Sequence, residues 1–108
     1  MSKTVVVQYR TRPDAADENQ RLVEQVYAQL ARENPDGLRY ATFRLADGVT
    51  FISIIEGEFS PVTQMSAFAD YQREIGERCV EAPQLLGASL VGSYRFQTAD
   101  SVTADTDW

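Results

Sequence analysis

Residues 37–57 have the sequence GLRYATFRLADGVTFISIIEG, in which two β-rich runs flank the dipeptide Asp47-Gly48. A two-residue type I′ turn requires positive φ at both central positions, which Asp and Gly tolerate better than most residues. The stretch therefore predicts one long β-hairpin that turns at Asp47-Gly48. Such a turn also fixes the register of the two strands, and it places Thr42 opposite Ser53.

The alternation of side chains along the hairpin sorts the paired positions into two faces. The face that we call the apolar face carries Leu45, Phe43, Ile52, Ala41 and Ile54, and it ends in the charge pair Arg39 and Glu56. The face that we call the mixed face carries Arg44, Phe51, Thr42, Ser53, Tyr40 and Ile55. Neither face is suited to open water, and the pattern leaves open which of them lies beneath the helices.

Length and composition bound the class of protein. The chain has 108 residues, of which 44% are hydrophobic, and this is enough for one domain with its own core. We assign residues 1–97 to a single domain and the polar, acidic residues 98–108 to a disordered tail. The net charge of −6 disfavours nucleic acid and anionic membrane surfaces as partners.

The cellular location follows from what the sequence lacks. Its single cysteine excludes an intrachain disulfide framework, and its amino terminus lacks the features of a signal peptide. No apolar run approaches the roughly 20 residues that a membrane span needs. We therefore expect a soluble cytoplasmic protein with no membrane partner.

Outside the hairpin, hydrophobic periodicity predicts two helices and two further strands. The strands are expected at residues 4–12 and 84–96, and the helices at residues 14–34 and 66–80. The second helix would pair Glu74 with Arg78 at i,i+4 spacing, and Pro83 would close the connection to the last strand. Gly87 and Gly92 in that strand indicate a bulge or a close backbone approach.

This β-α-β-β-α-β order predicts an α+β, ferredoxin-like fold. Right-handed crossovers place the first and third strands in the centre of a four-stranded antiparallel sheet, with two helices on one face. The bare face then measures roughly 400 Å², near the upper end of what a soluble monomer exposes as an apolar patch. We expect a second copy of the sheet to cover it, which gives a homodimer of the dimeric α+β barrel type.

With this order of elements the chain resembles the dimeric α+β barrel superfamily, in particular the proteins of the antibiotic-biosynthesis-monooxygenase (ABM) type. The resemblance spans residues 4–96 and is carried by short motifs. They are VVVQYRTRP at residues 5–13, NPDG and LRYATFR at 34–44, FISIIEGE at 51–58 and AFADYQ at 67–72.

The resemblance implies activities that include cofactor-free oxygenation of polycyclic aromatic compounds and haem degradation. Haem-degrading members use a His on the second helix, and this chain has no His, so we do not expect haem degradation. The third strand of the family often continues into a Glu-x-Trp segment, whereas this chain has Ile55-Glu56-Gly57 without a Trp.

The lack of His also removes the commonest general base and the commonest metal ligand. The sequence contains no zinc motif, P-loop, dinucleotide fingerprint or nucleophile elbow. We therefore predict neither a metal site nor a cofactor.

Five residues are candidates for a site. Tyr40 and Arg44 are candidate catalytic residues, because the resemblance implies Tyr and Arg groups that hold an aromatic substrate and stabilise its anion. Tyr9, Thr42 and Ser53 are candidates for binding a small aromatic or anionic ligand. The alternative is that the tyrosines belong to the core or an interface and that the arginines lie exposed at strand ends.

Two functions are consistent with the sequence. The first is a cofactor-independent monooxygenase, or a related isomerase, that acts on a small aromatic or polyketide-like compound. The second is a non-catalytic dimeric module that binds a small ligand or has a structural role. The first requires a pocket lined by Tyr40, Arg44 and their neighbours, whereas the second predicts a packed or purely apolar interior.

Overall fold

The computed structural model describes residues 4–96, in which four strands form one antiparallel sheet. The strands are β1 (Thr4–Thr11), β2 (Leu38–Arg44), β3 (Thr50–Gly57) and β4 (Cys79–Ala88). Their order across the sheet is β2-β3-β1-β4, so the predicted ferredoxin-like α+β fold is confirmed, with the first and third strands in the centre. The predicted tail at 98–108 lies outside the described residues, and the extent of the single domain, 1–97, stays a prediction.

The hairpin has the predicted register but a different turn. Thr42 pairs with Ser53 as expected. The Gly48 N–H donates to the Leu45 carbonyl oxygen over 2.9 Å, which closes a turn whose central residues are 46 and 47. Gly48 has a φ of +81°, but residue 47 is not among those with positive φ. The predicted type I′ turn is therefore wrong, while the pairing that it implied is correct.

The side chain of Asp47 organises the loop in place of the predicted turn. Its carboxylate accepts the backbone N–H groups of Val49 and Thr50, each over 2.9 Å, as in other turns that Asp initiates. Hydrogen bonds from the Thr50 hydroxyl and from these two backbone amides lower the pKa of the Asp47 carboxyl. The loop is thus fixed by a carboxylate rather than by two positive φ angles.

Helix α1 (Ala16–Glu33) follows a 3₁₀ turn at Pro13–Ala15. Asp17 and Glu18 lie in its first turn, where the positive end of the helix dipole favours carboxylates. The helix ends at Asn34, which has a φ of +48° and donates its N–H to the Leu30 carbonyl oxygen. The buried positions repeat at helical spacing and comprise Ala16, Asn19, Leu22 and Val26.

The second helical region is broken, so the prediction of one helix at residues 66–80 is wrong. It consists of α2 (Ser60–Thr63), α3 (Ser66–Gln72) and α4 (Ile75–Arg78). Glu74 has a φ of +62° between α3 and α4, a conformation that costs a residue with a Cβ about 1–2 kcal/mol. The predicted Glu74–Arg78 pair is also wrong, because Arg78 is buried and its guanidinium bonds to Asn19.

Strand β4 begins at Cys79, directly after α4, and only residues 84–88 of the predicted strand at 84–96 belong to it. Pro83 lies inside this strand rather than before it, which is tolerated because β4 is an edge strand that pairs only with β1. The register shift lies around Arg10. A Cβ at Gly87 or Gly92 would meet nothing within 4 Å, so the expected bulge or close approach at these glycines is wrong.

The helices cover the mixed face of the hairpin and leave the apolar face open. Phe51 and Ser53 of the mixed face are 1% and 5% exposed, whereas Phe43 and Leu45 of the apolar face are 44% and 40% exposed. The strand pairing extends the open face into an apolar row across the sheet that comprises Ala41, Ile54, Val6 and Leu86. No helix within residues 4–96 is long and apolar enough to cross a membrane, and the cytoplasmic location stays a prediction.

Candidate functional site

A cleft of about 230 Å³ lies between α1 and the hairpin. Its lining comprises Gln20, Val23, Glu24, Tyr27, Thr42, Arg44 and Phe51. The volume is below the range of about 300–1,000 Å³ that is common for sites that bind drug-sized ligands. The cleft therefore suits a small molecule.

One face of α1 supplies the helical wall of this cleft. Asp17, Gln20, Glu24 and Tyr27 are three, four and three residues apart, so they lie along one side of the helix. The Gln20 Nε2 donates to the Glu24 Oε2 over 2.9 Å, which fixes the orientation of the Gln20 amide. Asp17 and Gln20 contact Arg44, and Tyr27 contacts Thr42. The cleft therefore has Arg44 at one end and Thr42 at the other.

Arg44 forms the cationic end of the cleft. Its Nη1 donates to the Gln20 Oε1 over 2.7 Å and to the Asp17 Oδ1 over 3.1 Å. Its Nε donates to the Gly48 carbonyl oxygen over 2.9 Å, and its Cζ lies 5.6 Å from the centre of the Phe51 ring. These contacts hold the guanidinium in place, since the side chain is bonded at two nitrogens and lies over an aromatic face.

A chain of hydroxyl groups forms the other end. The Tyr27 hydroxyl lies 2.7 Å from the Thr42 Oγ1, which in turn lies 2.8 Å from the Ser53 Oγ. Either atom of each pair can be the donor, so the chain can present a donor or an acceptor to a ligand. Thr42 and Ser53 face each other because they are the cross-strand pair that the register predicts.

The two tyrosines beside this chain are hydrogen-bond donors rather than bases. The ring centres of Tyr27 and Tyr40 are 5.1 Å apart, and Tyr40 meets Phe59 edge-on at 5.2 Å. Burial raises the pKa of Tyr40 to about 12 and also raises the pKa of Tyr27. Both phenols are therefore neutral near pH 7 and can stabilise a negative charge by donating a proton to a hydrogen bond.

A second polar cluster is buried deeper between the sheet and the helices. The Tyr9 hydroxyl accepts hydrogen bonds from the Asn19 Nδ2 over 2.9 Å and from the Tyr71 hydroxyl over 2.8 Å. Arg78 donates its Nε to the Asn19 Oδ1 over 3.1 Å and its other nitrogens to two backbone carbonyls. Burial raises the pKa values of both phenols. The cluster joins β1, α1, α3 and α4, and it thereby fixes the helix turn that carries Asp17 and Gln20.

The five predicted site residues lie in different layers of the structure. Thr42 and Arg44 line the cleft. Ser53 and Tyr40 lie behind it and contribute through the hydroxyl chain and the aromatic packing. Tyr9 is 1% exposed and belongs to the buried cluster.

Sequence analysis missed Gln20, Glu24, Tyr27 and Arg78. Tyr27 follows Val23 at a spacing of four residues along α1, so its position follows once that helix is docked on the mixed face. The polar helix residues and Arg78 carry no signal of their own, because a single Gln, Glu or Arg on a helix is most often exposed.

The described part of the chain contains no cluster of side chains that could bind a metal ion. Within residues 4–96 no three His, Cys, Asp or Glu side chains lie close enough together to hold a metal ion. The acidic residues near the cleft contact Arg44 and Gln20 instead.

The sequence matches no protein-family model and no curated protein. Solved structures, in contrast, share its architecture. An antibiotic biosynthesis monooxygenase superposes with a TM-score of 0.68 at 18% identity, over 85% of this chain and all of the other, 100%. A Nitrosomonas europaea protein assigned as an antibiotic biosynthesis monooxygenase gives 0.69 at 12% identity, over 83% of this chain and 90% of that one.

A variant of SnoaB, a cofactor-independent oxygenase from Streptomyces nogalater, gives a TM-score of 0.58 at 17% identity, over 82% of this chain and 94% of SnoaB. This chain has an ABM-like fold. At identities of 12–18% the likeness establishes the ABM-like fold alone, because one fold can carry many unrelated functions.

Proposed function

We propose that this ABM-like chain is a cofactor-independent oxygenase that binds a small aromatic compound in the cleft between α1 and the hairpin. The observation that carries the proposal is the convergence of one guanidinium, Arg44, and two hydroxyls, of Tyr27 and Thr42, on the same cleft. Groups fixed in this way favour an anionic aromatic ligand over a neutral one. The fold shared with SnoaB, a cofactor-independent oxygenase, supports the reaction class.

The reaction needs only the substrate and dioxygen. A phenol loses its hydroxyl proton, and the resulting anion carries enough electron density at a ring carbon to react with dioxygen. The ring carbon gains one oxygen atom as a carbonyl and loses its hydrogen. The second oxygen atom leaves as water with the two hydrogens, so the phenol is the reductant, dioxygen the oxidant and a quinone the product.

Each group in the cleft has a part in this reaction. Glu24 is the carboxylate on the cleft wall, and it accepts the phenolic proton. Tyr27 donates a hydrogen bond to the developing anion, since burial keeps its phenol protonated, while Thr42 donates to the Tyr27 oxygen and holds it in place. Arg44 supplies the positive charge, and contact with Val23 and the ring of Tyr27 keeps the substrate out of water.

Oxygen uptake tests the proposal. The purified chain, without added metal or flavin, is incubated with a panel of one-ring and two-ring phenols under ¹⁸O₂, and the products are analysed by mass spectrometry. We expect one ¹⁸O atom in the product and at least tenfold slower uptake for Tyr27→Phe and Arg44→Met. Tyr94→Phe and Arg73→Met are matched controls, because these exposed side chains lie outside the cleft. Uptake that is equal in the cleft variants and the controls would refute the proposal.

The second candidate is a non-catalytic module that binds the same ligands. Two observations favour it. Arg44 already donates to three acceptors of the protein, and the raised pKa values of Tyr27 and Tyr40 keep both phenols from acting as bases. Ligand binding measured by calorimetry without any turnover across the panel would decide for the module. Turnover that depends on Tyr27 would decide for the oxygenase.

We also propose that the open apolar face is the contact surface of a homodimer. If each open face measures about 400 Å², two such faces bury roughly 800 Å² in total. A stable protein interface buries more, about 1,200–2,000 Å². Exposed apolar side chains after β4 can supply the remainder, and they are Leu90, Val91 and Phe96.

Sedimentation at micromolar concentration tests the dimer. The chain has a mass of 12.1 kDa, and we expect twice this mass for the wild type. Phe43→Glu on the open face should shift the equilibrium to the monomer, because it places a charge within the apolar contact. Ala28→Glu on the exposed side of α1 is the control and should remain dimeric. A wild-type monomer would end the proposal.

A further inference from the structure

Arg44 has donor groups that the protein itself does not use. Its Nη1 and Nε make all three of its hydrogen bonds, to Asp17, Gln20 and Gly48. The two N–H groups of Nη2 have no partner within residues 4–96, although the side chain is only 29% exposed. A half-buried guanidinium with a free edge in a cleft is suited to bind an oxyanion.

The carboxylate that holds Arg44 is easily displaced. The Asp17 side chain is 97% exposed, and exposed ion pairs contribute only about 0–1 kcal/mol. Gln20 and the Gly48 carbonyl oxygen would still orient the guanidinium after Asp17 has left. Asp17 therefore occupies the position of a ligand carboxylate without binding as strongly as a sheltered one.

The rest of the cleft limits what such an anion can be attached to. Arg44 is the one cation in the lining, and Glu24 on the opposite helical wall opposes a second negative charge. Next to the guanidinium the wall is formed by Val23, which suits an apolar body, while the Phe51 ring is 1% exposed and lies beneath Arg44. The hydroxyls of Tyr27 and Thr42 follow at the far end.

We propose that the natural ligand is a one-ring or two-ring hydroxyaromatic carboxylic acid. Its carboxylate displaces Asp17 and bonds both Nη atoms of Arg44, and its ring packs against Val23. Its hydroxyl lies at the Tyr27–Thr42 end, within the site of the proposed oxygenase, on which this inference rests. A volume of about 230 Å³ selects such a compound over larger polycyclic ones.

Binding of three fluorescent probes tests the ligand class at pH 7 with the full chain. They are 6-hydroxy-2-naphthoate, 2-naphthoate and 2-naphthol, which differ in whether they carry the carboxylate, the hydroxyl or both, and the first carries the two groups at opposite ends of its ring system. We expect 6-hydroxy-2-naphthoate to bind at least tenfold more tightly than 2-naphthol, with 2-naphthoate between them. Arg44→Met should abolish this preference, while Arg39→Met, on the same strand and the opposite face, should keep it. Equal affinity for 2-naphthol and the hydroxy acid would overturn the proposal.

Asp17 and Glu18 provide the decisive comparison, because both are carboxylates in the first turn of α1. Asp17→Asn removes the competitor for Arg44 and should tighten binding of 6-hydroxy-2-naphthoate about two- to fivefold. Glu18→Gln removes the same charge from a residue that pairs with Arg21 instead, and it should leave the dissociation constant unchanged. Equal effects of both variants would mean long-range electrostatics and would overturn the displacement of Asp17.

This inference and the oxygenase can fail separately. Tight, Arg44-dependent binding of the hydroxy acid without oxygen uptake would refute the oxygenase and support the ligand class. Turnover of neutral phenols that depends on Tyr27 and Arg44, without tighter binding of the hydroxy acid, would refute the ligand class and leave the oxygenase intact.

Discussion

Gly57 at the base of the hairpin offers a sharp test of the backbone geometry. Gly57 and Gly48 both have positive φ, +92° and +81°. A Cβ added at Gly57 would lie 2.1 Å from the Gly37 carbonyl oxygen and 3.2 Å from its carbonyl carbon, whereas at Gly48 it would meet nothing within 4 Å. Substitution by Ala therefore creates a clash between two backbone segments at the first site and leaves open space at the second.

The expected magnitudes follow from this difference. Positive φ costs a residue with a Cβ about 1–2 kcal/mol, and both variants bear this cost. Forced overpacking costs a further about 1–3 kcal/mol, and only Gly57→Ala bears it. The clash also separates Gly37 from Glu58, whose N–H donates to the same carbonyl oxygen over 3.0 Å. We expect a loss of about 2–5 kcal/mol for Gly57→Ala and about 1–2 kcal/mol for Gly48→Ala.

Urea unfolding followed by circular dichroism, at one fixed protein concentration, measures both losses. Gly57 pairs with Leu38 at the base of the hairpin, while Arg44 and Phe51 form the pair next to the loop. The surviving folded fraction of Gly57→Ala should therefore bind aromatic acids with the wild-type dissociation constant. Equal free energies of unfolding for the two variants would refute the close approach of residues 37 and 57.

Three further outcomes are expected. Asn19→Ala leaves the buried Arg78 Nε without its acceptor and removes one of the two donors to the Tyr9 hydroxyl, which should cost about 2–5 kcal/mol of unfolding free energy in urea; a loss below about 1 kcal/mol would contradict the buried cluster. Glu74→Gly relieves a φ of +62° and should stabilise the fold by up to about 1 kcal/mol, whereas Glu77→Gly, inside α4, should destabilise it by a similar amount. Burial raises the folded pKa of Tyr40 from 10.0 to about 12. The stability that the neutral phenol contributes is therefore complete below pH 10 and is lost as the pH rises towards 12. Between pH 10 and 12 the free energy of unfolding should fall more steeply for the wild type than for Tyr40→Phe, and parallel curves would count against the burial of this phenol.

The local pattern decided the register of the hairpin even though it named the wrong turn. A closed loop between Leu45 and Thr50 gives the same pairing whether the turn is type I′ or is held by Asp47, because both close the strands over the same number of residues. Alternation then assigned each side chain to a face. The order of the strands followed from the handedness of the crossovers.

The layer beneath the helices could not be derived from the hairpin. The apolar face is the more hydrophobic one, and yet the mixed face is buried, because its hydroxyls satisfy one another through Thr42, Ser53 and Tyr27 of α1. A polar residue can be buried when its partner comes from another element. That partner is invisible in the sequence of the strand alone.

Arg78 is the clearest case in which local sequence and tertiary contacts give different answers. By sequence it is a helix residue four positions after Glu74, and this spacing predicts an exposed ion pair. In the structure the left-handed conformation of Glu74 breaks the helix and turns Arg78 inward to Asn19 and Tyr71. The sequence by itself determined the elements, their pairing and the two hairpin faces, since these depend on local periodicity. The tertiary structure alone decided which face is buried, where the cleft lies and which arginine is free to bind, since these depend on contacts between residues distant in the chain.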